Sequence, residues 1–141
     1  MSASPAVSTL DQNKQLVIRW FEEVWNQGQR DTIAKLLAPD GVIYDGPAII
    51  HGPAEFEGFY DRLHAQFSDF KISPALLLAE GDLVCMHWFS EFKHNATGKR
   101  AHVTGTSIVR IKDGRFIEAW QNWDAAGLAA QLSGQPPTAL F

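Results

Sequence analysis

The chain has 141 residues, a formal net charge of −4, 45% hydrophobic residues and 20% charged residues. This length and composition fit one globular domain with a substantial buried core. The acidic balance and the absence of a Lys/Arg cluster argue against a nucleic-acid partner, and the most apolar stretch is cut by Glu80, Gly81 and Asp82, which argues against a membrane span.

Three helices are predicted in the first half of the chain. Residues 1–10 are small and polar and predict a flexible tail, after which Asp11 is a candidate helix cap. Apolar residues then recur at helical spacing over 12–27, and shorter helical patterns follow at 31–37 and 54–67. "VIYD" between the second and third helices is predicted as a short strand, with loop and edge residues around it.

The period of the hydrophobic pattern changes to two after Phe67. Four strands are predicted between residues 69 and 123, and an Asp-Gly turn joins the last two as a hairpin. A short final helix carries Leu128 and Leu132, and residues 135–141 are predicted as a C-terminal tail.

Helices first and strands afterwards predict an α+β fold. We expect residues 11–134 to form a single domain, in which three N-terminal helices pack on a cone-shaped, curved antiparallel sheet and enclose a pocket. Five tryptophans and nine phenylalanines supply rigid walls for such a pocket.

The cellular compartment is indicated only by simple features. The N-terminus lacks the basic and apolar regions of a secretory signal. Cys85 is the single cysteine of the sequence, so an internal disulfide is excluded. These features predict a cytoplasmic protein.

No metal, nucleotide or nucleophile motif is evident. The histidines show no paired metal-ligand spacing, and there is no glycine-rich phosphate loop. These absences argue against a metal hydrolase, a nucleotide enzyme and a Rossmann oxidoreductase, and we expect no metal site.

Polar residues among aromatics on the last strand are the remaining candidates for chemistry. Strict alternation places one set of residues on a single face, namely Phe116, Glu118, Trp120 and Asn122. Asp124 follows directly, between Trp123 and an alanine-rich helical run. A carboxylate in a poorly hydrated aromatic cavity has its charged form disfavoured, which suits acid/base work near neutral pH.

Each candidate also has a purely structural interpretation. Asp124 is well placed to cap the final helix, and that role is compatible with a role as base. Glu118 could pair with Arg110 or Lys112 across the hairpin, and His87 could be a satisfied core histidine.

The sequence resembles the SnoaL-like polyketide cyclase family, whose fold is shared by nuclear transport factor 2 and ketosteroid isomerase. The resemblance covers roughly residues 13–134. It is carried by "VIRWFEEVWNQGQRDTIAKLLAPDGVIYDGP", by "HGPAEFEGFYDRL" and, most specifically, by "TGKRAHVTGTSIVRIKDGRFIEAWQNWDAAGLAAQLSG".

The resemblance implies acid/base chemistry without a cofactor, as in an aldol ring closure that uses a cavity aspartate. Asp124 matches that aspartate best, with Asn122 as the alternative position, and His87 lies where relatives carry a basic residue. Asp124 and His87 are therefore the predicted catalytic residues. The predicted substrate-binding residues are Trp120, Asn122, His102, Glu118, Trp20 and Tyr44.

These interpretations predict an enzyme that acts on a small or medium apolar carbonyl compound through an enolate. The alternative is a module of the same fold that binds a hydrophobic ligand, or that dimerises, without turnover. We also expect a homodimer formed through the convex face of the sheet, because a sheet that is apolar on both faces needs two coverings.

Overall fold

The computed structural model of the protein describes residues 8–134. The predicted tails at 1–7 and 135–141 lie outside the described residues. The elements in chain order are α1 (Thr9–Trp20), a π-helical segment (Phe21–Asn26), α2 (Thr32–Leu36), β1 (Leu37–Asp45), β2 (Ala48–His51), α3 (Gly52–Gln66), β3 (Phe67–Glu80), β4 (Leu83–His94), β5 (Arg100–Lys112), β6 (Arg115–Trp123) and α4 (Ala125–Ser133).

The predicted α+β class is confirmed. Six strands form one curved, unclosed sheet in the order β2-β1-β6-β5-β4-β3. All neighbouring strands are antiparallel except β1 and β6, which are parallel. This parallel pair was not expected, and it places the end of β1 beside the end of β6.

The first helix begins earlier than predicted. Ser8 is its N-cap, and the Ser8 Oγ accepts a hydrogen bond of 3.1 Å from the backbone N–H of Asp11. Asp11 therefore lies in the first turn, where a negative charge is favourable beside the positive end of the helix dipole. Thr9 and Leu10, placed in the tail by the sequence, are helical.

A π-helical segment continues α1 and turns two aromatic side chains toward the sheet. The segment ends near Gly28, whose φ of 67° suits glycine. Asn26 at its last position fixes it to β3, because the side-chain amide donates to Ile72 O at 2.9 Å and accepts from Ile72 N at 2.6 Å. One side chain thereby takes the place of a strand partner along the edge strand β3.

The core lies between the helices and the concave face of the sheet. Phe56 of α3 is fully buried, and its ring meets Trp20 of α1 edge-on at 5.0 Å between centroids. Trp20 also contacts Phe116 of β6, with a centroid distance of 5.3 Å. Trp20 is therefore core packing, whereas Phe21 and Trp25 of the same helical stripe are buried but also border a cavity.

A β-bulge in β6 overturns the predicted assignment of faces. Ile111 pairs with Phe116, whereas the preceding Arg110 pairs with Glu118, so that Ile117 is an extra residue in the ladder. Phe116 and Ala119 are both buried. One extra residue reverses the alternation beyond it, so Glu118 no longer shares the face of Phe116.

Candidate functional site

A cavity opens among the described residues between the helices and the concave sheet face. It holds about 670 Å³ of space not filled by atoms, including its open mouth. The part of this space that the centre of a water-sized sphere can occupy is about 110 Å³, which is room for several water molecules. Its walls are mostly aromatic and aliphatic, formed by Phe21, Trp25, Phe59, Leu63, Phe67, Phe70, Ile72, Trp88, Phe92, Val103, Trp123 and Leu128.

Three polar residues interrupt this apolar lining. They are Asp45 at the end of β1, Ser90 of β4 and Gln121 of β6. Asp45 and Gln121 are register partners on adjacent strands and therefore lie side by side. Few polar groups in an otherwise apolar cavity fix the orientation of a ligand more than they add affinity.

Asp45 is the one carboxylate among the described residues that line this cavity. Its Oδ1 accepts a hydrogen bond of 2.9 Å from the Trp123 indole N–H, and Trp123 is 38% exposed at the rim. Partial burial raises the pKa of Asp45 above its ordinary value, and the Trp123 hydrogen bond opposes this only in part. The carboxylate is thus held in one orientation but poorly solvated, as a general base requires.

Gln121 belongs to a hydrogen-bond relay that runs across three strands. The Trp88 indole N–H donates to Ser107 Oγ at 3.0 Å, and the Ser107 hydroxyl donates to Gln121 Oε1 at 3.0 Å. Ser107 is 2% exposed, so the relay is shielded from solvent. We call Trp88, Ser107 and Gln121 the relay below.

Gly105 allows Trp88 to lie flat across β5. A Cβ atom at residue 105 would overlap the six-membered ring of Trp88. A glycine in a strand interior often marks such a close approach. The position of Trp88, which is both a cavity wall and the first member of the relay, therefore depends on residue 105 having no side chain.

None of the predicted site residues lines the main cavity. The bulge turns Glu118, Trp120 and Asn122 to the convex face, where Trp120 stacks on Tyr44 at 6.1 Å and 16° between ring planes. Glu118 accepts from Arg110 Nε at 3.2 Å, as its structural interpretation predicted. The expected pocket face was therefore wrong.

The two predicted catalytic residues, His87 and Asp124, also lie outside the lining of the main cavity. His87 is on the convex face, with its Nδ1 3.1 Å from Thr106 Oγ1, and Thr106 pairs with Asn122. Asp124 is exposed and caps α4, since its Oδ1 accepts from Gly127 N at 2.9 Å. The predicted cap is confirmed, while the catalytic roles of Asp124 and His87 stay predictions.

The two remaining candidates, His102 and Trp20, make contacts that stabilise the fold. His102 is exposed, and its backbone N–H and C=O are bridged by the Gln131 side chain, which fixes α4 to β5. Trp20 lines only a smaller cavity of about 330 Å³ beneath α1, which Ser107 and Gln121 also border.

Sequence reasoning missed Asp45 and Gln121. The signal for Asp45 was a carboxylate that ends a strand, directly before the turn at Gly46. Strict alternation would place Gln121 on the face opposite to Trp120 and Asn122, and the bulge at Ile117 turns Gln121 toward the cavity.

Two features are absent from residues 8–134. No helix there is both long and apolar enough to cross a membrane. No three His, Cys, Asp or Glu side chains in that range are grouped as ligands of a metal ion. The cytoplasmic location and the lack of a cofactor stay predictions.

A family model for the SnoaL-like domain matches residues 17–119. This match spans most of the chain, which therefore belongs to the SnoaL-like family. No protein of curated function matches the sequence.

Solved structures share the fold at low sequence identity. A candidate SnoaL-like polyketide cyclase from Jannaschia sp. CCS1 is 20% identical with a TM-score of 0.82, covering 94% of this chain and 100% of that one. IdmH from Streptomyces antibioticus, a candidate polyketide cyclase, is 25% identical with a TM-score of 0.77, covering 86% and 99%. A protein from Catenulispora acidiphila with a ketosteroid isomerase-like fold, solved with trimethylamine, is 18% identical with a TM-score of 0.77, covering 87% and 95%.

Proposed function

We propose that the protein is a cofactor-independent acid/base enzyme of the polyketide cyclase type, with Asp45 as the proton-transfer group. Its substrate would be a small or medium apolar carbonyl compound. The reaction would be an isomerisation or an aldol cyclisation, which share their first step.

The observation that carries the proposal is one half-buried carboxylate in an aromatic cavity. Asp45 is oriented by Trp123 and has its pKa raised by partial burial. A raised pKa makes the carboxylate a stronger base once it is ionised, and it brings the pKa closer to the pH at which the enzyme works. The surrounding walls would hold a flat ring system and exclude water.

The chemical step balances without a further reactant. The Asp45 carboxylate takes the proton from the carbon next to a carbonyl, and the C–H electron pair becomes the C=C bond of an enolate. The carbonyl π electrons move to oxygen, which carries the negative charge. In an isomerisation, the protonated Asp45 returns the proton to a carbon further along a conjugated enolate. In a cyclisation, the enolate carbon attacks a second carbonyl to close the ring, and the oxygen of that carbonyl takes the proton from Asp45.

Proton exchange tests this function without knowledge of the natural substrate. Wild-type protein in D₂O would be incubated with a panel of cyclic enones and β-keto esters, and loss of the α-proton signal followed by NMR. We expect catalysed exchange for at least one ring compound and its loss in Asp45→Asn. Exchange equal in both proteins would contradict the role of Asp45, and no exchange with any compound would favour the non-catalytic binding module.

We also propose that a second copy covers the convex face. A row of paired, mostly apolar residues crosses five strands there, made of Leu78, Cys85, Ile108, Trp120 and Tyr44. Leu78 is 65% exposed and Phe89, on the same face, is 53% exposed. Exposed apolar area of this extent favours a protein contact.

Sedimentation equilibrium tests the assembly. We expect a dimer for the wild type and a monomer for the double variant Leu78→Glu/Phe89→Glu. The matched control is Arg62→Glu, an exposed charge change on α3, which lies on the other side of the sheet. A monomeric wild type at high micromolar concentration would overturn the dimer.

A further inference from the structure

We infer that the side-chain amide of Gln121 is the donor that binds the substrate's carbonyl oxygen, and that Ser107 is a positioning residue that fixes this amide. The inference rests on the proposed function and names the group that would stabilise the enolate oxygen.

The direction of the relay follows from the chemistry of its members. A tryptophan indole N–H can only donate, so Ser107 Oγ accepts from Trp88. The one hydroxyl proton of Ser107 then has Gln121 Oε1 as its acceptor among the described residues. The Gln121 oxygen is therefore held by Ser107, and the NH₂ end of the amide is the free end.

This NH₂ group is available to a ligand. Gln121 Nε2 has no hydrogen-bond partner among residues 8–134, yet that range has no fully buried side-chain N or O atom without a partner. Nε2 therefore keeps some accessible surface, and Gln121 borders both the main cavity and the smaller one beneath α1.

The position of the Gln121 amide suits a hydrogen bond to the oxygen of an enolate whose carbon faces Asp45. Asp45 and Gln121 are paired on adjacent strands, which lie about 4.8 Å apart in a sheet. An H–C–C=O unit of a substrate can lie across this gap, with its proton toward the carboxylate and its oxygen toward the amide. A fixed donor in an apolar site stabilises the developing charge without reorganising at the moment of reaction.

A phenolate is a stable stand-in for the enolate, and 4-nitrophenol reports its own ionisation by absorbance. The titrations use the Asp45→Asn protein, whose neutral side chain imitates the base after it has taken the proton. We expect this protein to bind the phenolate form and to lower the pH at which the bound dye ionises. In Asp45→Asn/Gln121→Leu, phenolate affinity should fall about 10- to 100-fold, the usual effect of losing a hydrogen bond to a charged group.

A neutral probe separates recognition of the oxygen from a merely structural role. Binding of 4-nitrotoluene, which has the ring but no phenolate oxygen, should be unchanged within about twofold by Gln121→Leu. Equal weakening of both probes would mean that Gln121 only shapes the cavity, and it would overturn the inference.

Ser107 can be tested with a closely matched control. Ser107→Ala removes the hydroxyl that fixes the amide, and it should weaken phenolate but not 4-nitrotoluene binding, because Ser107 lies outside the main cavity wall. Thr106→Ala removes the neighbouring hydroxyl, which contacts His87 on the opposite face, and should leave both affinities unchanged. Thermal melts would verify that every variant is folded at the titration temperature.

The outcomes separate this inference from the proposed function. The role of Gln121 is overturned if Asp45→Asn/Gln121→Leu binds phenolate as tightly as Asp45→Asn does. It is also overturned if Asp45→Asn shows no saturable phenolate binding. Failure of Asp45 as the base appears instead as proton exchange that survives Asp45→Asn.

Discussion

The two faces of the sheet carry similar types of residue but differ in their suitability for catalysis. The convex face holds His87, Trp120 and Asn122, each with a neighbour on the same surface and, within one protomer, open to solvent on one side. The concave face holds Asp45 and Gln121 among buried aromatics. Aromatic and polar residues in one strand therefore do not define a site; helices that exclude water from one face do.

The largest expected effect contrasts the carboxylates at Asp45 and Asp124. Asp45→Asn should lower proton-transfer turnover by about 10²- to 10⁴-fold, the usual contribution of a general base. Asp124→Asn should retain turnover within about twofold, since asparagine caps a helix about as well as aspartate. Initial rates with the best exchange substrate measure both.

His87→Gln is a second control for this contrast, because His87 lies on the convex face. Loss of turnover in Asp124→Asn or His87→Gln, with Asp45→Asn active, would restore the site predicted from the sequence.

Overpacking should be costly on the concave face alone. Gly105→Ala forces a Cβ into the Trp88 ring, so we expect about 1–3 kcal/mol less stability in urea denaturation. Thr104→Ala, on the neighbouring exposed position of the same strand, should change stability by less than about 0.5 kcal/mol. Equal effects would mean that Trp88 is free to move away from β5.

A smaller effect on stability is expected from the N-cap of α4, which Asp124 forms directly after β6. Asp124→Ala should destabilise the protein by about 1 kcal/mol, because Gly127 N loses its acceptor, while Asp124→Asn should cost little. Chemical denaturation of the two variants at neutral pH makes the comparison. An equal loss in both would show that the charge of Asp124, rather than its cap, stabilises α4.

The smallest effect is the pH dependence of stability at Asp45. Its folded pKa is raised above the ordinary value of 3.8, so the folded state favours the protonated form. The stabilisation from that proton is complete below pH 3.8 and is lost as the pH rises through the folded pKa. Asp45→Asn, which keeps an acceptor for Trp123, should therefore gain in melting temperature relative to the wild type between pH 3.8 and neutrality. A constant difference across this range would mean that burial does not disfavour the charge.

The sequence determined the class of fold through local patterns. Helical spacing up to Phe67 and period-two spacing beyond it predicted the helices and the antiparallel strands β3 to β6. The capping role of Asp124 was also readable, because a cap depends only on the residues that follow it.

Tertiary structure decided which residues form the site. The bulge at Ile117 comes from pairing with β5, a partner that alternation along β6 does not contain, and it exchanged the faces of Trp120 and Gln121. Asp45 became a cavity carboxylate only through the parallel pairing of β1 with β6, two segments far apart in the chain. Burial and register arise from contacts between distant segments, so the location of the charge in the cavity could not be read from the sequence around it.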